Sequence, residues 1–166
     1  MKNDDFLNLA YPPQWVAKIL HLCISGSILR QNEHTQKNQG LKTELVYCIL
    51  PLIADDDVRK KLNRAKNTSS FFSIFEGQMK DHQEFLINFS EKYNSFYSIT
   101  NEGLIYLGNI EPMKIGEYIF TPFTCKFKKI KDSKNVDFER AAYYLGMMLA
   151  KEDPVDVYLK LGMVPK

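Results

Sequence analysis

Three histidines, three cysteines and a run of three aspartates are the residues of this 166-residue chain whose types could carry chemistry. His21, His34 and His82 fall on three separate segments. His21 sits in the polar stripe of an otherwise apolar stretch and reads as a surface histidine. His34 lies in a polar loop. His82 is the one polar rung of an apolar ladder, which reads as a satisfied core residue rather than a catalyst. Asp55-Asp56-Asp57 could hold a metal or share a proton. They also stand where a helix begins, and carboxylates there accept from free backbone N–H groups and favour the positive end of the helix dipole. Capping is the expectation. Cys23, Cys48 and Cys125 are far apart and odd in number, without metal-ligand spacing. Two of them lie inside apolar runs, as buried reduced thiols do in a cytoplasmic protein.

Larger motifs are missing. There is no GxxxxGK[ST] phosphate loop, GxGxxG, HExxH, CxxC or calcium-binding loop. "CISGS" (23–27) has a nucleophile-like serine, but it lies mid-helix without the strand–turn context of an elbow. The expectation is a protein that is not an enzyme, with no cofactor and no metal; the alternative is an enzyme without a known motif, whose pocket would join His82 or Asp55–Asp57 to other polar groups. One charge run, "KFKKIKDSK" (126–134), carries a net +4. Lys126, Lys128, Lys129, Lys131 and Lys134 are therefore candidate nucleic-acid contacts, with a solvated linker as the simpler reading.

The elements that must position these residues are mainly helical. Pro12-Pro13 opens a helix that runs to about Arg30, since proline suits a first turn. Its polar residues Gln14, Lys18, His21 and Ser25 form one narrow stripe on an apolar cylinder, so the helix is central. "QNEHTQKNQG" (31–40) reads as a loop and Leu41–Ala54 as a second helix that Pro51 kinks or ends. A short helix follows the aspartates, with Val58, Leu62 and Ala65 inward. Phe72, Phe75, Met79, His82, Leu86, Phe89 and Tyr93 make a ladder of three- and four-residue steps, either one long helix or two with a joint near Gly77–Asp81. A further helix is expected from Asn94 to Leu107. Ile110 and residues 114–120 read as two short strands round a Pro112–Gly116 turn. Val136–Lys151 reads as a helix. Asp153-Pro154 caps and starts another, which ends at Leu161 with Gly162 after it.

Hydrophobic residues at 45% and charged residues at 25% suffice for one folded domain. Its parts are a helical core (12–108), a β wing (109–121), a basic linker (122–135) and C-terminal helices (136–166). The fold class is mainly α with a small β hairpin, a winged-helix-like α+β arrangement. Residues 1–6 show no signal-peptide pattern, and the longest apolar runs are broken by Lys18, His21, Ser25 and Pro51, so no membrane span is expected. A winged helix suggests a DNA-binding regulator. Tyr93 through Met113, where its recognition helix would lie, contains Glu102 and Glu111 and no Lys or Arg. Phosphate contacts need cations, so this helix is expected to face protein. Tyr143, Tyr144, Met147 and Tyr158 are left over from the packing faces as candidate partner contacts.

Three segments in order carry a family resemblance: "LNLAYPPQWVAKIL", "VYCILPLIADDDVRKKL" and "AAYYLGMMLAKEDPVDVYLKLGMVPK". Together the chain resembles the middle component of three-component ABC systems, the small accessory subunit of Lamassu-type defence against phage and plasmids. The resemblance implies a non-catalytic cytoplasmic subunit. Its partners would be an SMC-like ATPase subunit and an effector subunit, often a nuclease, with DNA contact indirect or weak through the complex.

Overall fold

A computed structural model describes residues 10–35, 39–75, 82–127 and 135–164; within these, the side chains of 32–35 and 82 are not described. The chain is mainly α with a small antiparallel sheet, as the patterning predicts. Helix α1 (Pro13–Thr35) starts where Trp15 and Val16 donate to the Pro12 carbonyl at 2.9 and 3.0 Å. It is five residues longer than expected and extends through the first half of the stretch read as a loop. Strand β1 (Leu41–Lys42) and a 3-10 helix (Thr43–Leu45) come next, before α2 (Val46–Ala54) and α3 (Asp56–Asn63). The predicted helix from Leu41 thus begins later. Leu41 and Lys42 instead pair with Ile119 and Tyr118, which satisfies backbone groups that a helix would have satisfied internally. Pro51 sits inside α2, which ends three residues beyond it as Asp55 turns extended.

After a 3-10 helix (Phe71–Phe75) comes α4 (His82–Ile110), 29 residues without a break. The helix expected from Asn94 is its second half. Ile110, assigned to a strand from sequence, is its last residue. Strands β2 (Lys114–Ile115) and β3 (Tyr118–Phe120) form the hairpin, and the sheet order is β1-β3-β2. Helices α5 (Val136–Leu149) and α6 (Pro154–Lys160) close the described chain.

Helix α1 is the centre. Val16, Ile19, Leu20, Cys23, Ile24 and Ile28 are buried, with α4 and α5 packed against it. The α1–α5 crossing is made at two glycines. A Cβ on Gly26 would stand 2.3 Å from the Tyr143 carbonyl oxygen, and one on Gly146 would stand 1.9 Å from that of Cys23. The two backbones touch where no side chain fits.

The polar stripe of α1 is partly covered rather than wholly solvated. Lys18 Nζ donates to Glu139 Oε1 of α5 at 2.7 Å, and His21 Nε2 donates to the Phe123 carbonyl at 2.6 Å. Ser25, fully buried, accepts from the Cys125 amide at 3.1 Å. The segment leaving β3 therefore lies along α1 through the polar residues that seemed to face water. Gln14 and Lys18 of the four remain exposed.

Aromatic rings tie the second half together. Phe71, Phe75, Phe85, Phe89, Tyr93 and Tyr158 form a chain with centroids 5.3 to 6.4 Å apart, each spacing suited to tilted or edge-to-face contact. It runs from the 3-10 helix along α4 to α6.

Candidate functional site

Among the described residues, the aspartates and the two buried thiols that could have carried chemistry are engaged in structure. Asp55 caps α3, accepting from the amides of Asp57 and Val58, both at 3.1 Å, and its Oδ2 accepts from Lys92 Nζ of α4 at 3.1 Å. Asp56 pairs with Arg59, whose guanidinium holds the Asp56 carboxyl below the usual carboxylate range. The same guanidinium stacks 4.2 Å over the Phe138 ring, joining α3 to α5. Asp57 lies 3.8 Å from Lys60. Cys23 and Cys48 are buried free thiols; burial pushes both up, Cys48 to about 12. Thiols so placed are poor nucleophiles near neutral pH.

The lysine run enters the described chain at Lys126 alone, which is exposed; Lys128, Lys129, Lys131 and Lys134 lie outside the described residues, as do the side chains of His34 and His82. The four candidate partner contacts of the C-terminal helices do not form one surface. Tyr143 and Tyr144 are half-buried in an edge-to-face pair, with the Arg140 guanidinium 5.0 Å over the Tyr144 ring. Met147 is 5% exposed and Tyr158 8% exposed, so both pack within the chain instead of facing outward.

Tyr158 points instead to a feature that sequence reading passed over. Its ring stands at a groove of about 880 Å³ between α4, α6 and the 3-10 helix before α2. Glu44 and Tyr47 line one side. Ser90, Tyr93, Asn94 and Tyr97 come from the outer turns of α4, spaced so that one helix face supplies all four. Val155, Met163 and Val164 give an apolar end.

The groove wall is held by bonds that fix the rings. Tyr158 donates to the Glu44 carbonyl at 2.6 Å, which leaves its oxygen to accept from the Tyr93 hydroxyl at 3.3 Å. Burial raises the pKa of both phenols, so both stay neutral donors across the physiological range. Tyr47 donates to Asn101 Oδ1 at 2.9 Å and stacks on Tyr97 with centroids 4.5 Å apart and planes 12° from parallel. Tyr97 is nonetheless 47% exposed, and Val164 is 84% exposed. Rigid tyrosines beside exposed valines make a contact surface that loses little conformational entropy on binding. The signal in the sequence was the cation-free stretch from Tyr93 to Met113. Glu44, Tyr47 and the C-terminal residues meet it only through the fold.

Among the described residues, no helix is long and apolar enough to cross a membrane. The family model for the ABC-three component (ABC-3C) system Middle Component 3 matches residues 2–165. No curated protein and no solved structure matches the chain.

Proposed function

The chain belongs to the Middle Component 3 family of ABC-three component systems, and from that membership we propose that it is a non-catalytic bridging subunit. In this reading it joins an SMC-like ABC ATPase to an effector, often a nuclease, in a cytoplasmic complex directed against phage or plasmid DNA. ATP chemistry belongs to the first partner and the damaging activity to the second. This chain contributes binding, and keeps the effector inactive until the ATPase engages foreign DNA.

The observation that carries the reading is the span of the family match, residues 2–165, which takes in every element from α1 to α6. The chemistry of α4 supports it. A helix that precedes a hairpin would be the DNA reader in a winged-helix regulator, yet its second half holds Glu102 and no cation, and Glu111 follows directly after it. Such a face repels phosphate and suits protein.

The test is co-expression of this chain with the ATPase and effector encoded beside it, each partner tagged in turn. All three should elute as one species in size-exclusion chromatography, and leaving this chain out should separate the other two. If the ATPase and effector associate as well without it, or if it binds neither, the bridging role is wrong.

A further inference from the structure

The groove against α4 and α6 has a chemical bias that points to the kind of segment it takes. Its lining contains a carboxylate, four phenol rings, an amide, a hydroxyl and apolar side chains, and no Lys or Arg. Among the described residues, two lysines on the flanking elements are paired. Lys92 Nζ lies 3.1 Å from Asp55 Oδ2, and Lys42 Nζ lies 3.8 Å from Asp153 Oδ2. The exposed Glu44 carboxylate has no ion-pair partner among the described residues. Beyond the groove, α4 continues with Glu102 and no positive residue as far as its C-terminus.

We propose that this groove receives an arginine of a partner protein, on a segment whose neighbouring apolar residues cover Val155, Met163 and Val164. The inference rests on the bridging reading and names the chemistry of one of its contacts. The Tyr47–Tyr97 stack is a fixed platform, and the electron-rich ring faces of such a pair attract a guanidinium laid over them. A guanidinium offers five donors in a plane, which suits a lining that presents a carboxylate, an amide oxygen and phenol oxygens. A lysine would bring one point charge and would stack less well. The volume, about 880 Å³, is that of a site for several side chains, and its open apolar end suits a polypeptide that continues past the anchor. A phosphate backbone meets the opposite: a carboxylate and no counter-charge.

The test is a co-purification assay on the full chain with the ATPase and effector encoded beside it, comparing wild type with Glu44→Arg, Tyr97→Ala and the control Glu84→Arg. Glu84 is an exposed acid at the start of α4, outside the groove. Circular dichroism of each purified variant checks that it folds; both test side chains are exposed. Glu44→Arg and Tyr97→Ala should each weaken the hold on the same one partner by tenfold or more, while Glu84→Arg holds both. An arginine-to-glutamate change in that partner should restore binding to Glu44→Arg. Should the wild type and both groove variants hold both partners equally, the groove assignment falls and the bridging role stands. Should wild type hold neither, both fall. Tighter binding of a 30-base-pair duplex by wild type than by Glu44→Arg supports an unexpected nucleic-acid groove and also overturns the proposal.

Discussion

At the scale of single residues, the tightest constraint on this fold is the absence of a side chain at two positions. Gly26 and Gly146 let α1 and α5 meet backbone to backbone. The atom that a Cβ on Gly146 would strike is the Cys23 carbonyl oxygen, at 1.9 Å, with the carbonyl carbon at 2.7 Å. Main chain in the middle of a buried helix cannot swing aside as the tip of a lysine can. Gly146→Ala must therefore push the two helices apart and open the packing of Leu145 and Met148, both buried, beside it. Overpacking of this kind typically costs about 1–3 kcal/mol, and the rigidity of the obstacle places this case at about 3 kcal/mol or above. The expected result is a large fall in the urea midpoint, with Gly146→Val worse than Gly146→Ala. An unchanged midpoint for Gly146→Ala would show that the helices do not cross this closely.

At the scale of elements, α6 is short but bonded at both ends and through its middle. Asp153 caps it, accepting from the Val155 amide at 2.9 Å, and Pro154 takes the first position. At the other end Gly162 adopts φ +70°, and the Met163 amide returns to the Tyr158 carbonyl at 2.9 Å, the six-to-one bond of a Schellman motif. Val157 and Leu161 are fully buried, and Tyr158 adds its bond to the Glu44 carbonyl. Deleting residues 153–166 is expected to abolish a cooperative urea transition or shift it by several kcal/mol, since it removes two fully buried aliphatic side chains and a buried phenol, each costing about 2–5 kcal/mol when truncated. The milder Asp153→Ala should cost about 1 kcal/mol through the lost cap. A truncated chain with an unaltered transition would mean that α6 is an ornament. These boundaries were legible because capping chemistry is local: Asp153, Pro154 and Gly162 mark them without reference to the rest of the chain. The C-terminal end of α1, the start of α2 and the unity of α4 were not legible. β1 exists only because Ile119 and Tyr118, some 75 residues on, offer it a ladder, and nothing within residues 41–45 announces that. The groove was invisible for the same reason: Tyr93 and Tyr97 stood out as part of a cation-free stretch, whereas Glu44, Tyr47, Val155 and Val164 join them only after folding.

At the scale of the whole molecule, the first helix has no core of its own. It is buried by α4 and by α5, so its stability depends on residues more than a hundred positions away. The polar stripe adds bonds to the same dependence, through Glu139 on Lys18, Phe123 on His21 and Cys125 on Ser25. Trp15, the one tryptophan of the chain, sits at this closure. Its ring meets Phe138 of α5 edge to face at 5.5 Å and Tyr11 at 5.5 Å, so its fluorescence reports whether the two ends of the chain are docked. An architecture in which the first helix is completed by the fifth should melt as a unit, because undocking α5 strips α1 of its apolar partner and of its polar ones together. The expected outcome is that thermal transitions followed by Trp15 fluorescence and by far-ultraviolet circular dichroism coincide. If the fluorescence changes at a lower temperature while helicity persists, α5 and α6 form a detachable unit on a stable helical core. The division at residue 136 would then be a true domain boundary, and a partner could act by lifting the C-terminal helices away.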